Sequence, residues 1–293
     1  MAANKNWNGT TYGSSFMHRW LIWLLKKVDT RIIYFIVYIF ILPFLLFKPG
    51  FWHIYRYLHQ RIGKSSLSSL RYAYRNHFLF AQAVIDKFAM YAGREFDIEL
   101  EGEENFAHLA QLPDGFVQLS SHVGNYEIAG YSLKADKKRF NALVYFGEKE
   151  EVMHNREKLF TNSNIRMIPL KADLSHLFLI NSALAEGETV SIPADRIWGS
   201  KRCIEMEFLG KIAKFPLGPF QTITTREVEA LVVHVVKTSF KKYRIIVTPL
   251  PYDHNASKRE QVELLAKGYI AELEKVVKKY PCQWFNFFDF WQQ

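Results

Sequence analysis

The sequence predicts an α/β protein, a mainly parallel sheet sandwiched by helices, preceded by an N-terminal apolar helical membrane anchor. Three observations predict it. From residue 96 onward, short runs rich in Val, Ile, Leu and Phe alternate with helical stretches, the pattern of a parallel sheet with helices on its faces. Before residue 93 the chain is apolar and aromatic at helical spacing, without that alternation. Finally, Ser120-Ser121-His122-Val123-Gly124-Asn125-Tyr126-Glu127 links an apolar run, Phe116-Val117-Gln118-Leu119, to a helix start. Such strand-to-helix turns lie at the open end of a sheet, where α/β proteins place their chemistry.

The composition shift at Gly93 divides the chain into an N-terminal membrane-associated helical region, 1–93, and an α/β domain, 94–293. The 293 residues carry a net charge of +9 and are 49% hydrophobic and 16% aromatic. That excludes a disordered chain and calls for an apolar ligand or membrane and an anionic partner. Cys203 and Cys282 make neither a disulfide framework nor a zinc site, and no His-Glu-x-x-His pair exists.

Residues 1–15 are polar and predicted to be loose. Residues 16–27, with Trp20, Trp23, Lys26 and Lys27, have the composition of an interfacial helix. Residues 32–47 are uncharged; as a helix they would be roughly 24 Å long, short of the ~30 Å hydrocarbon core, and Pro43 would kink or end them. One short span, a monotopic insertion and a buried core helix all fit this run. Basic residues on both flanks favour membrane association without fixing topology. After a break at Gly63, a helix over about 69–90 is expected, capped by Ser66 or Ser68, with Leu70, Tyr74, Phe78, Ala81 and Ile85 packing on the α/β domain.

Strands are predicted at 96–100, 116–120, 140–146, 165–169, 189–193, 203–208, 230–236 and 243–249. Helices are predicted near 104–110, 125–134, 149–161, 174–186, 217–226 and 257–279.

Candidate site residues follow from these positions. Glu127 can fold back onto the His122 imidazole, fix its tautomer and leave the other ring nitrogen to take a proton from a substrate hydroxyl. Gly124 and Asn125 lie in the same turn, where a glycine lets the backbone approach a ligand. Arg166, in or beside a strand, or Lys171, in the loop after it, can hold a phosphate or a developing oxyanion. Asp195 and Arg196 follow the strand ending at Pro193, at the same sheet end as His122 if the strands are parallel. The stretch Phe208-Leu209-Gly210…Phe215-Pro216-Leu217-Gly218 reads as a sharp turn feeding a helix start, whose amides at Gly218 can face a phosphate or pantetheine oxygen. The aromatic tail, Gln283-Trp284-Phe285-Asn286-Phe287, reads as packing.

His-Val-Gly-Asn-Tyr-Glu resembles the His-x4-Asp/Glu block of the lysophospholipid acyltransferase superfamily, and most closely its branch of late acyltransferases of lipid A biosynthesis. The resemblance runs over nearly the whole chain. It implies a thioester-dependent acyltransferase with His122 as general base oriented by Glu127. Acyl carrier protein, or else acyl-coenzyme A, would be the donor and a lipid or glycolipid hydroxyl the acceptor, bound near Gly124, Asn125, Arg166 or Lys171, Asp195, Arg196 and Gly218. It further implies the inner membrane, with the catalytic domain on its cytoplasmic face, and no metal or redox cofactor. Pro193-Ala194-Asp195-Arg196 matches neither the Pro-Glu-Gly-Thr motif of the glycerolipid branch nor the Pro-Asp-x-Asp motif of the lipid A branch. The tail resembles a branch that also esterifies polyene pigments, so a pigment or aminolipid is an alternative acceptor. A non-catalytic lipid- or carrier-binding protein is the rival reading. Nucleic-acid binding finds no supporting motif.

Overall fold

The computed structural model describes residues 15–133, 138–145, 164–170, 173, 175–197 and 202–292. The predicted helix at 149–161 and Lys171 lie outside the described residues.

Helix α1, Ser15–Lys27, leads into α2, Thr30–Ile36, whose N-terminus is capped by the Asp29 carboxylate accepting from the Arg31 amide at 2.8 Å. The helical path continues through a π turn, Val37–Ile41, and a 3₁₀ segment, Leu42–Phe47. Pro43, which lacks an amide hydrogen and crowds the carbonyl four residues back, lies where the two meet, so the path changes pitch rather than ending. Helix α3, Pro49–Gln60, begins on a proline at its first position, and α4, Ser66–Tyr91, is capped by Ser65. The cap lies one residue earlier than expected: Ser65 has the extended backbone of a cap, while Ser68 supplies the amide.

The buried face of α4 also differs from the expected stripe. It carries Ser69, Ala73, Asn76, His77, Gln82, Ile85, Asp86, Phe88 and Ala89, whereas Leu70 is exposed. Of the expected set, Tyr74 and Phe78 instead pack edge-on against Tyr38 of the apolar run. Polar residues can take the buried face because each of two has a partner. The Asn76 amide donates to Trp284 O at 2.9 Å, and Asp86 receives Lys237 Nζ at 2.5 Å and the hydroxyls of Tyr34 and Tyr243.

Seven strands form one sheet in the order β1-β9-β8-β2-β5-β3-β4. These are β1 Asp97–Glu101, β2 Phe116–Ser120, β3 Phe140–Tyr145, β4 Ile165–Leu170, β5 Thr189–Pro193, β8 Glu229–Lys237 and β9 Lys242–Pro249. Every neighbouring pair is parallel except β8 with β9. Between them run α5 Glu103–Gln111, α6 Glu127–Ser132, α7 Ser175–Ala185 and α8 Gly218–Arg226, and α9 Lys258–Lys279 follows the last strand. Helices cover both faces: Phe106, Leu109, Ile128 and Ala129 of α5 and α6 share a core with Leu231, Val233 and Val235, while Leu265, Tyr269 and Leu273 of α9 lie opposite with Val232 and Val236. Consecutive residues of β8 thus feed opposite cores, as the period of two requires.

One strand was not foreseen. Within the stretch read as a turn and helix start, β7, Lys211–Pro216, pairs antiparallel with β6, Cys203–Phe208, in a hairpin outside the main sheet. The helix start expected around Pro216 and Gly218 is present, as α8, but the sharp turn at Leu209 and Gly210, with φ of 52° and 74°, closes a hairpin ahead of it.

Candidate active site

Strands β2 and β5 are adjacent and parallel, with Ser120 opposite Pro193, and the pairing continues past both ends as the Ala194 amide donates to Ser120 O at 2.9 Å. The next residues on each side therefore emerge together. His122 Nδ1 donates to Asp195 Oδ1 at 2.7 Å, and the His122 amide donates to Asp195 Oδ2 at 3.0 Å. The indole N–H of Trp284 adds a third bond to Asp195, 3.3 Å to Oδ2. Asp195 is fully buried, whereas the His122 side chain is one-fifth exposed (20%) and faces the ring of Tyr126 edge-on at 5.6 Å. With Nδ1 committed to a carboxylate, Nε2 is the ring nitrogen left for chemistry.

Electrostatics follow from this packing. Burial lowers the His122 pKa below its ordinary value, the nearby Arg196 guanidinium lowers it further, and Asp195 opposes both incompletely. Burial by itself would raise the Asp195 carboxyl, but the charge and hydrogen bonds of His122 and the charge of Arg196 hold it well below the usual carboxylate range. The pair at neutral pH is thus a neutral imidazole on an ionised carboxylate, as a general base requires.

The expected orienting carboxylate, Glu127, does not reach His122. As first residue of α6 it receives Lys87 Nζ from α4 at 2.7 Å. The helix start turns it towards α4, and the place beside Nδ1 belongs to Asp195. The amides expected to face substrate are also engaged. Gly124 N–H donates to Gln283 O at 2.7 Å and Asn125 N–H to Val235 O at 3.2 Å; the Asn125 side-chain amide donates to Ala83 O. Gly124 is required where the turn lies against β8. Its φ is +57°, and a Cβ there would meet Val235 O at 1.9 Å.

Arg166 lies at the wrong end of the sheet. It is the second residue of β4, opposite Asn141 of β3, with Val190 and Val117 in the same row. His122 lies five positions beyond Val117, roughly 16 Å at 3.3 Å per residue of extended chain. Its Nε donates to Asn141 Oδ1 at 2.7 Å, and the guanidinium sits 3.6 Å from Glu188. Its companion candidate, Lys171, is outside the described residues. Gly218 opens α8, exposed, and a Cβ there would meet nothing within 4 Å. Arg196, by contrast, belongs to the site: a guanidinium N–H donates to Phe285 O and its Cζ stands 5.7 Å over the Phe288 ring.

Two contributors were not read as site residues from the sequence. The tail pairs with the turn that carries His122, Val123 bridging Trp284 and the Phe285 amide donating to His122 O at 2.9 Å, so Trp284 reaches Asp195. A Trp among many aromatics carries no signal of this. His234, on β8, holds its Nδ1 2.9 Å from Ser121 Oγ, in the residue before His122, and burial pushes its pKa down to about 4.

None of the curated proteins matches this sequence. Among solved structures, the chain is similar to the 1-acyl-sn-glycerophosphate (LPA) acyltransferase PlsC of Thermotoga maritima. The match has 14% identity and a TM-score of 0.42 over 89% of this chain and 96% of that one, too distant to bear on activity. Residues 80–293, which hold the His122–Asp195 pair and the tail seated on it, match the bacterial lipid A biosynthesis acyltransferases. A match over most of the chain places this protein in that family of acyltransferases.

Proposed function

We propose that this protein transfers a fatty acyl group from an acyl thioester to a hydroxyl of a lipid acceptor at a membrane surface. The observation that carries the reading is the His122–Asp195 pair, its imidazole held neutral and oriented with Nε2 available. In the proposed reaction, Nε2 takes the proton of the acceptor hydroxyl as that oxygen bonds to the thioester carbonyl carbon. Asp195 stabilises the imidazolium. The carbonyl π bond moves onto oxygen, and the charge of Arg196, near enough to lower the His122 pKa, favours that oxyanion. Collapse breaks the carbon–sulfur bond, and the imidazolium returns its proton to the leaving thiolate.

Acyl carrier protein is the proposed donor, since an acidic carrier suits a chain of net charge +9. A lipid A-like glycolipid is the proposed acceptor, on family membership. Membrane attachment is supported by the apolar N-terminal face. Thr30–Phe47 is long and apolar enough to cross a bilayer by length and composition, and Phe44 and Phe47 are 69% and 84% exposed. We place the catalytic domain on the cytoplasmic face of the inner membrane, where acyl carrier protein resides.

The test is acyl transfer by the purified full-length protein from acyl carrier protein and from acyl-coenzyme A, with lipid extracts compared with and without the protein. His122→Ala retaining turnover with either donor would sink the mechanism. Recovery of the full chain as a detergent-free soluble monomer would sink the membrane assignment.

A further inference from the structure

A cavity of about 330 Å³ opens between α3, the β6–β7 hairpin and the C-terminal tail. His122 is not part of its wall; Trp284, whose indole is bonded to Asp195, is. Helix α3 presents His53 and Arg56 to it, Arg61 follows at the C-terminal cap of that helix, and the hairpin adds Lys211. Against the three fixed cations stands one carboxylate, Asp289. Among the described residues, none of Arg56, Arg61 or Lys211 is ion-paired; Arg61 stacks its guanidinium over Trp291 at 5.3 Å.

The second observation is at the buried part of the wall. Asn286 is 4% exposed, and neither its Oδ1 nor its Nδ2 has a hydrogen-bond partner. A buried amide left unsatisfied is costly, and such groups are usually met by a ligand or water. The surroundings say which kind of ligand. Three cations and an amide donor in an aromatic-walled cavity match a phosphate ester. Exposed apolar side chains lie close by in the chain: Phe47 just before α3, Trp52 in its first turn, and Ile212 next to Lys211. Cations set among exposed aromatic and aliphatic residues are the composition of a surface that meets anionic lipid.

We propose that this cavity is a second, non-catalytic binding site for phosphate esters, and that at the membrane it takes the phosphate of an anionic phospholipid headgroup. Arg56, Arg61 and Lys211 neutralise the phosphate, and the Asn286 amide donates to one of its oxygens. The choline cation of a zwitterionic headgroup is repelled by the same arginines.

The experiment is calorimetric titration of the full chain in uncharged detergent with dihexanoyl phosphatidylglycerol, dihexanoyl phosphatidylcholine and inorganic phosphate, at constant ionic strength. Phosphatidylglycerol should bind at one site and phosphatidylcholine markedly more weakly. Arg56→Gln and Arg61→Gln should each weaken binding about tenfold, the loss expected for one charged hydrogen bond, while Lys267→Gln on the exposed face of α9 should not. Asn286→Asp keeps the shape of the side chain, places a carboxylate on the wall and should abolish binding with thermal unfolding little changed. Inorganic phosphate binding as tightly as phosphatidylglycerol, with the same variant pattern, supports the site and assigns it to soluble phosphate esters. Equal binding of the two lipids, with the arginine variants losing no more than Lys267→Gln, overturns the proposal.

Discussion

His122 Nδ1 and Asp195 Oδ1 lie 2.7 Å apart although 73 residues separate them in the chain. The contact exists because β2 and β5 are parallel neighbours in register, so their exit turns meet. His122→Ala should therefore reduce acyl transfer by ~10²–10⁴-fold, the usual worth of a general base, with the circular dichroism spectrum retained because the imidazole lies at the partly open edge of the core. Turnover with a purified thioester donor measures it.

Asp195 and Glu127 should separate cleanly. Asp195→Asn loses the charge opposite the imidazolium and disturbs three hydrogen bonds, so kcat should fall by a factor approaching that of His122→Ala. Glu127→Gln removes the charge that pairs with Lys87 and should act mainly on stability. Equal kcat losses, with unfolding midpoints unchanged in both, would restore Glu127 as the orienting group.

The pH profile tests the charges around His122. Its pKa is lowered, first by burial and then by Arg196, so the acid limb of kcat/KM should have its midpoint below 6.5. Arg196→Gln removes a lowering influence and should move that limb to higher pH; Arg196→Lys, which keeps the charge, should move it less. A limb unmoved in both variants would mean that Arg196 does not act on the base.

His234 should leave a signature in stability. Its folded pKa of about 4 lies below the ordinary 6.5, so between these values the unfolded chain binds a proton that the folded chain does not. Its contribution is present above pH 6.5 and is lost as pH falls towards 4, with a slope of at most about 1.4 kcal/mol per pH unit. Unfolding of wild type and His234→Asn, followed from pH 7 to 4, should show a shallower decline in the variant.

Trp284→Phe keeps an aromatic ring in the core, smaller than the indole, and removes the donor to Asp195. A hydrogen bond to a charged group is worth ~1.5–3 kcal/mol, so kcat should fall about tenfold or more. Unchanged kcat would make the tail packing alone.

Periodicity and composition determined the α/β class, most strand and helix positions, and the placing of His122 and Asp195 at one end of a parallel sheet. These are local or nearly local properties: a buried strand must be apolar, and a helix must repeat its apolar face every 3.6 residues. Partnership was decided only by the tertiary structure. Glu127 is five positions from His122 and could be imagined against it, but α6 starts at Glu127 and Lys87 of α4 holds its carboxylate. Arg166 has the right chemistry in the right stretch, yet strand direction puts it at the opposite end of the sheet from His122. The buried face of α4 could not be read from apolar spacing because Asn76 and Asp86 are buried by partners supplied from Trp284 and Lys237, more than 150 residues later. The seating of the tail on the His122 turn depends on Gln283 and Phe285 meeting Gly124 and His122 in space. Sequence fixes which residues can bury or ionise; only the folded chain decides which donor faces which acceptor, because a hydrogen bond depends on distances that no spacing along the chain records.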